Sequence, residues 1–134
     1  MKFKFNSYDP YDLDVGNYHA QFTLVTEPAA NLKCDAPLRL TLEVLYPLPD
    51  KLPRRVGKTY CTDCDKNAEL INHLSSALSP ELENLLDEHD MLDAKKLIGR
   101  RVDITVEHVH TDGYEKPFVK LAGMFPAGTF KLKE

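Results

Sequence analysis

The sequence predicts a mainly β fold with a helical insert: a small five-stranded barrel whose helices fall between strands three and four. Three observations carry this. Apolar residues alternate at period two from Tyr18 to Tyr60. The spacing then becomes helical, with Leu70, Ile71, Leu74 and Leu78 on one face. Period two returns after Gly99, where Val102, Ile104 and Val106 alternate with Asp103, Thr105 and Glu107.

Taken in order, Lys2-Phe3-Lys4-Phe5 alternates and suits a short edge strand within an N-terminal extension over 1–15. A first long strand follows over about Asn17 to Thr26. Tyr18, Ala20, Phe22 and Leu24 share one face, and His19, Gln21 and Thr23 the other. Pro28, Asn31 and Pro37 make Glu27 to Pro37 a loop. Leu38, Leu40, Leu42, Val44 and Tyr46 then give the clearest strand pattern. Pro47, Pro49 and Pro53 end it, because each removes a ladder donor. A third strand over about Arg55 to Cys61 places Val56, Lys58 and Tyr60 together.

The insert spans 62–98. Asp65 or Asn67 can cap its first helix. Ser79-Pro80-Glu81 suits the start of a second helix with stripe Leu82, Leu85 and Leu86, and Asp93 can cap a last short turn. Gly99 stops that turn. A hairpin closes the pattern: the strand from Val102, a tight Thr111-Asp112-Gly113-Tyr114 turn, and Phe118 to Leu121. Val119 and Leu121 face one way, Phe118 and Lys120 the other. His108 and His110 continue the Val106 face to the barrel rim. Residues 126–134 read as a tail. This element order is that of the OB-fold, a partly open Greek-key barrel.

Composition narrows the function. At 134 residues and 43% apolar, the chain suits one domain with its own core. No apolar run reaches the roughly 20 residues of a membrane helix, and no apolar stretch follows the start as in a signal peptide. Three cysteines do not suit a secreted disulfide framework. The expectation is a soluble protein of a bacterial host's cytoplasm, without a membrane partner. Residues 61–98 hold nine acids against three lysines, a balance of −6, which leaves +2 for the rest of a chain whose formal charge is −4. The acidity therefore sits on the helical layer, and the strand layer is mildly basic.

Gly57-Lys58-Thr59-Tyr60, Leu97-Ile98-Gly99-Arg100-Arg101-Val102 and the Phe125-Pro126 ending carry a resemblance, together with Met1-Lys2-Phe3 and Tyr114…Val119-Lys120. The chain resembles small OB-like proteins encoded by phages and prophages beside recombination genes and filed as single-stranded DNA-binding proteins. The likeness implies non-sequence-specific binding in support of replication or recombination. Single-stranded DNA would be the partner, with a recombination or replication protein as a second one. The Cys61-Thr62-Asp63-Cys64 segment and the acidic insert depart from that pattern, and there is no acid-rich tail for recruiting partners.

Single-strand binding needs cations along the backbone path and aromatic faces for bases. An OB-fold offers strands two and three and the loops between strands one-two and four-five. The candidates there are Lys33, Arg39, Arg54, Arg55, Lys58, Tyr60, Tyr114, Lys116, Phe118 and Lys120. A buried Val56 would draw Tyr60 and Lys58 into the core with it. The plain alternative is a solvated barrel with scattered cations.

Cys61-Thr62-Asp63-Cys64 has the spacing of half a zinc site. Cys34 and His73 could complete it, but no second ligand pair exists, so neither a metal nor a cofactor is expected for folding. No phosphate loop, nucleophile elbow or His-Glu-x-x-His helix is present, which favours a non-enzyme. The competing class is a protein-binding module or inhibitor whose acidic layer mimics DNA toward a basic partner. Oligomeric state stays open, a homo-oligomer included.

Overall fold

The computed structural model describes residues 1–2 and 8–132. The edge strand expected at Lys2–Phe5 falls on residues 3–5, outside the described ones. Five strands form one antiparallel sheet: β1 Gly16–Thr26, β2 Pro37–Tyr46, β3 Arg55–Cys61, β4 Arg101–Val109 and β5 Phe118–Pro126. Their order across the sheet is β3-β2-β1-β4-β5. One helix, α1 (Ala68–Leu78), lies between β3 and β4. The expected barrel is not closed. β3 and β5 approach each other, with Cα atoms within 8 Å, but no hydrogen-bonded register joins them.

The core follows from the alternation. Phe22, Leu40, Leu42, Ile104, Leu121 and Met124 are fully buried on the inner face. α1 covers the β5 side of the sheet and contributes Leu70, Leu74, Ala77 and Leu78. Ile71, expected on that stripe, is exposed, and Ala77 takes the position.

Bulges account for two departures. The β1–β2 register steps from Phe22↔Leu42 to Leu24↔Thr41, so Thr23 is an extra residue. One extra residue inverts the alternation beyond it. Leu24 therefore points outward, 47% exposed, and Val25 packs against the core. In β5 the register steps from Val106↔Leu121 to Thr105↔Gly123, which lets both Leu121 and Met124 face inward.

The insert holds less α-helix than its periodicity suggests. Asn67 sits at the N-cap of α1 but makes no side-chain cap bond. Ser79 ends α1 in an extended conformation, as the residue before proline must. Glu81–Leu85 is only a 3-10 helix, closed off by the Leu86↔Leu92 bridge. Asp93 does cap the next 3-10 helix, Ala94–Leu97, by accepting from the Lys95 N–H at 3.0 Å. Gly99 then turns with φ +90° and donates its N–H to the Phe22 carbonyl at 2.8 Å, which docks the insert on β1. The β4–β5 connection is longer than a tight hairpin, although Gly113 at φ +89° serves the expected turn.

Asp103 is the main surprise. Alternation puts it on the solvent face, yet it is 1% exposed. The reason is the tail: after Pro126 the chain turns back, and Phe130 stacks edge-on against Phe125 at 5.3 Å. The Phe130 N–H donates to Asp103 Oδ2 at 2.8 Å, and His19 Nδ1 lies 2.6 Å from Oδ1. No helix among the described residues is long and apolar enough to cross a membrane.

Candidate nucleic-acid interface

An open groove of about 610 Å³ lies where β2, β3 and the β4–β5 connection meet the 9–12 segment. Gly57 and Arg39 both line it. Gly57 has no side chain, and the Arg39 guanidinium occupies that space; a Cβ at position 57 would meet Nη2 at 2.5 Å. Arg39 Nη1 also donates to Thr59 Oγ1 at 3.2 Å, which fixes the guanidinium along β3. The far wall is Tyr114 to Val119. Tyr114 is 64% exposed and Phe118 50%, and their rings meet edge-on at 5.1 Å. Lys116 stands between them in sequence and lines the same groove.

Four of the ten expected contact residues are therefore brought together: Arg39, Tyr114, Lys116 and Phe118. The others are not in the groove. Lys33 is exposed in the β1–β2 loop, where its carbonyl accepts from Lys66 Nζ at 2.9 Å. Arg54 pairs with Asp50 and lies 5.0 Å from the centre of the Tyr8 ring. Arg55 is exposed, and its N–H binds the Pro10 carbonyl at 2.7 Å, which ties the groove's outer wall to β3. Lys120 is exposed on β5.

Tyr60 is corrected by its burial, and Lys58 by its ion pair with Glu69. Val56 is core, and Tyr60, two positions further along the same face of β3 than Lys58, is 3% exposed. A base cannot stack on it. Its hydroxyl instead meets His73 Nδ1 at 2.7 Å. Burial raises the Tyr60 pKa well above its usual value, with the Glu69 charge adding to the effect. Burial also lowers the pKa of His73; Glu69 opposes this, while Lys58 and Lys120 reinforce it. Lys58 pairs with Glu69 at 3.1 Å and reaches over the Tyr60 ring.

Electrostatics in the groove are mixed. Asp9, Asp12 and Glu115 line it beside Arg39 and Lys116. No residue from the acidic insert lines it. His108, which also borders it, has Nε2 2.6 Å from the Leu13 carbonyl, while His110 is exposed. The sequence reading missed the wall formed by residues 9–12; Tyr11 and its flanking acids were visible only as a turn-rich stretch.

The four-residue zinc set is also corrected. Cys34 and Cys61 form a disulfide, with Cα atoms 5.8 Å apart and a sequence separation of 27. Cys64 is free and exposed, and His73 is engaged by Tyr60. The odd cysteine count concealed one pair and one leftover thiol. No family model, curated protein or solved structure matches the chain.

Proposed function

We propose that the chain binds single-stranded DNA without sequence preference, as an OB-type module of the phage and prophage kind that supports replication or recombination. The observation that carries this reading is the groove in which exposed Tyr114 and Phe118 stand beside Arg39 and Lys116. Aromatic faces accept any base, and the cations take the phosphates. The strand order, with a helix between β3 and β4, suits a Greek-key barrel left open at its β3–β5 seam. The groove then corresponds to the face and the last loop with which such barrels hold oligonucleotides.

Three carboxylates in the same groove keep the affinity weak to moderate. Binding is driven by counterion release and falls with salt, with a log–log slope of roughly −0.7 per phosphate neutralised. The role is binding rather than catalysis, because the groove pairs no nucleophile with a free base. Titration of a fluorescent oligothymidine at several salt concentrations tests the reading. Absence of binding at low ionic strength would remove it.

A second reading rests on the insert. Eight of its nine acids are exposed, and among the described residues only Glu69, Glu81 and Glu88 have a basic side chain within ion-pair distance, the last being the neighbouring His89. Such a surface suits a basic protein partner to which it presents a DNA-like charge. Binding of such a partner that persists after charge reversal in the groove would favour this reading.

A further inference from the structure

The strongest unassigned cluster lies at the opposite end of β3 from the Arg55 wall. Cys34 Sγ, Cys61 Sγ and an Asp63 carboxylate oxygen lie within 4.8 Å of one another. They come from three segments: the β1–β2 loop, the last residue of β3 and the turn before α1. We propose that, once the disulfide is reduced, these three side chains form a site for a thiophilic divalent cation, zinc above all. The proposal does not depend on the nucleic-acid reading.

The argument begins with what holds the cluster when the S–S bond is absent. The Cys34 N–H donates to Asn31 Oδ1 at 3.1 Å. The Thr62 N–H and hydroxyl both donate to the Ala36 carbonyl, at 3.0 and 2.7 Å. The Asp35 N–H donates to Asp63 Oδ2 at 2.9 Å. None of these bonds uses sulfur, so reduction leaves the backbone in place and the two thiols side by side. The Asp35 bond occupies one carboxylate oxygen and orients the other, as outer-shell donors do for metal-binding carboxylates. Two thiolates and one carboxylate select zinc over magnesium or calcium, because thiolate is a soft ligand. Three protein ligands leave the fourth tetrahedral position to water.

The chemistry balances without a hidden partner. A dithiol reductant transfers two electrons and two protons to the Cys34–Cys61 bond and leaves as its own disulfide. Binding of the cation then displaces the two thiol protons. The site is thus present in a reducing compartment and absent in an oxidising one.

The test uses the full chain, reduced and freed of reductant without oxygen, and titrated with cadmium as a spectroscopic probe. A thiolate-to-cadmium absorption should rise and level off at one equivalent, and zinc should displace it. The air-oxidised chain should show none, a comparison that needs no substitution. Cys34→Ser should abolish the absorption at one equivalent, and Asp63→Asn should weaken binding by about 10–100-fold. Cys64→Ser should retain one equivalent. A reduced wild type without the absorption overturns the proposal. So does loss of binding in Cys64→Ser with retention in Cys34→Ser, which would assign the cation to the Cys61–Cys64 pair instead.

Discussion

At the scale of the residue, Tyr114 and Tyr60 are the instructive pair. Both are tyrosines near cations in the sequence, and only burial separates them. Tyr114→Ala should cost on the order of 1–3 kcal/mol of oligonucleotide binding with the fold intact, read by anisotropy. Arg39→Glu combined with Lys116→Glu should abolish binding at low salt. Charge reversal at Lys58 is a poorer probe, because it sets an acid beside Glu69. Tyr60 and His73 instead bear on stability. Burial lowers the His73 pKa, so the unfolded chain takes up a proton at a higher pH than the folded one. The contribution of His73 is complete above its ordinary pKa of about 6.5 and is lost as pH falls below it. Urea midpoints at pH 7.5 and 5.5 should therefore diverge in the wild type and converge in His73→Asn. Sequence could show that Tyr60 shared a face with Val56. It could not show that a histidine on the facing helix would satisfy the hydroxyl.

At the scale of the element, strand positions were legible because alternation is a direct record of a two-sided sheet. The ends of β3 and the span of β2 follow from Arg55, Cys61 and the prolines around them. The bulge at Thr23 was not legible, since nothing in Phe22-Thr23-Leu24-Val25 distinguishes a phase change from continued alternation. Leu24→Ser should change stability by less than about 0.5 kcal/mol, as an exposed substitution does. Phe22→Ala should cost roughly 3–5 kcal/mol. Comparable losses at the two positions, measured by chemical denaturation, would contradict the bulge. The second helix of the insert was over-read for a related reason. Leu82, Leu85 and Leu86 have helical spacing, but five residues between Pro80 and Leu86 support no more than a 3-10 turn.

At the scale of the whole molecule, contacts between distant segments decided what local pattern could not. Asp103 is buried because Phe130 folds over it, and Cys34 meets Cys61 because β2 pairs with β3. Neither juxtaposition leaves a mark at the residue concerned. Reduction of the disulfide should lower the unfolding free energy by about 2–4 kcal/mol, detectable as a lower urea midpoint without loss of the native spectrum. The groove was half legible on the same logic. Tyr114, Lys116 and Phe118 are neighbours in sequence, whereas the 9–12 wall is brought to them by long-range contacts such as the Arg55 bond to Pro10.

The open seam between β3 and β5 has a consequence for the behaviour of many copies together. An unpaired strand edge is a template onto which another chain can add. Here both rails of the seam carry an exposed cation, Arg55 on β3 and Lys120 on β5. Repulsion between like rails keeps copies apart, and that repulsion is screened over about 10 Å at 0.1 M salt. Added salt therefore weakens the barrier to edge-to-edge pairing. Light scattering of the free protein should rise with ionic strength, and Lys120→Glu, which sets opposite charges across neighbouring rails, should raise it already at low salt.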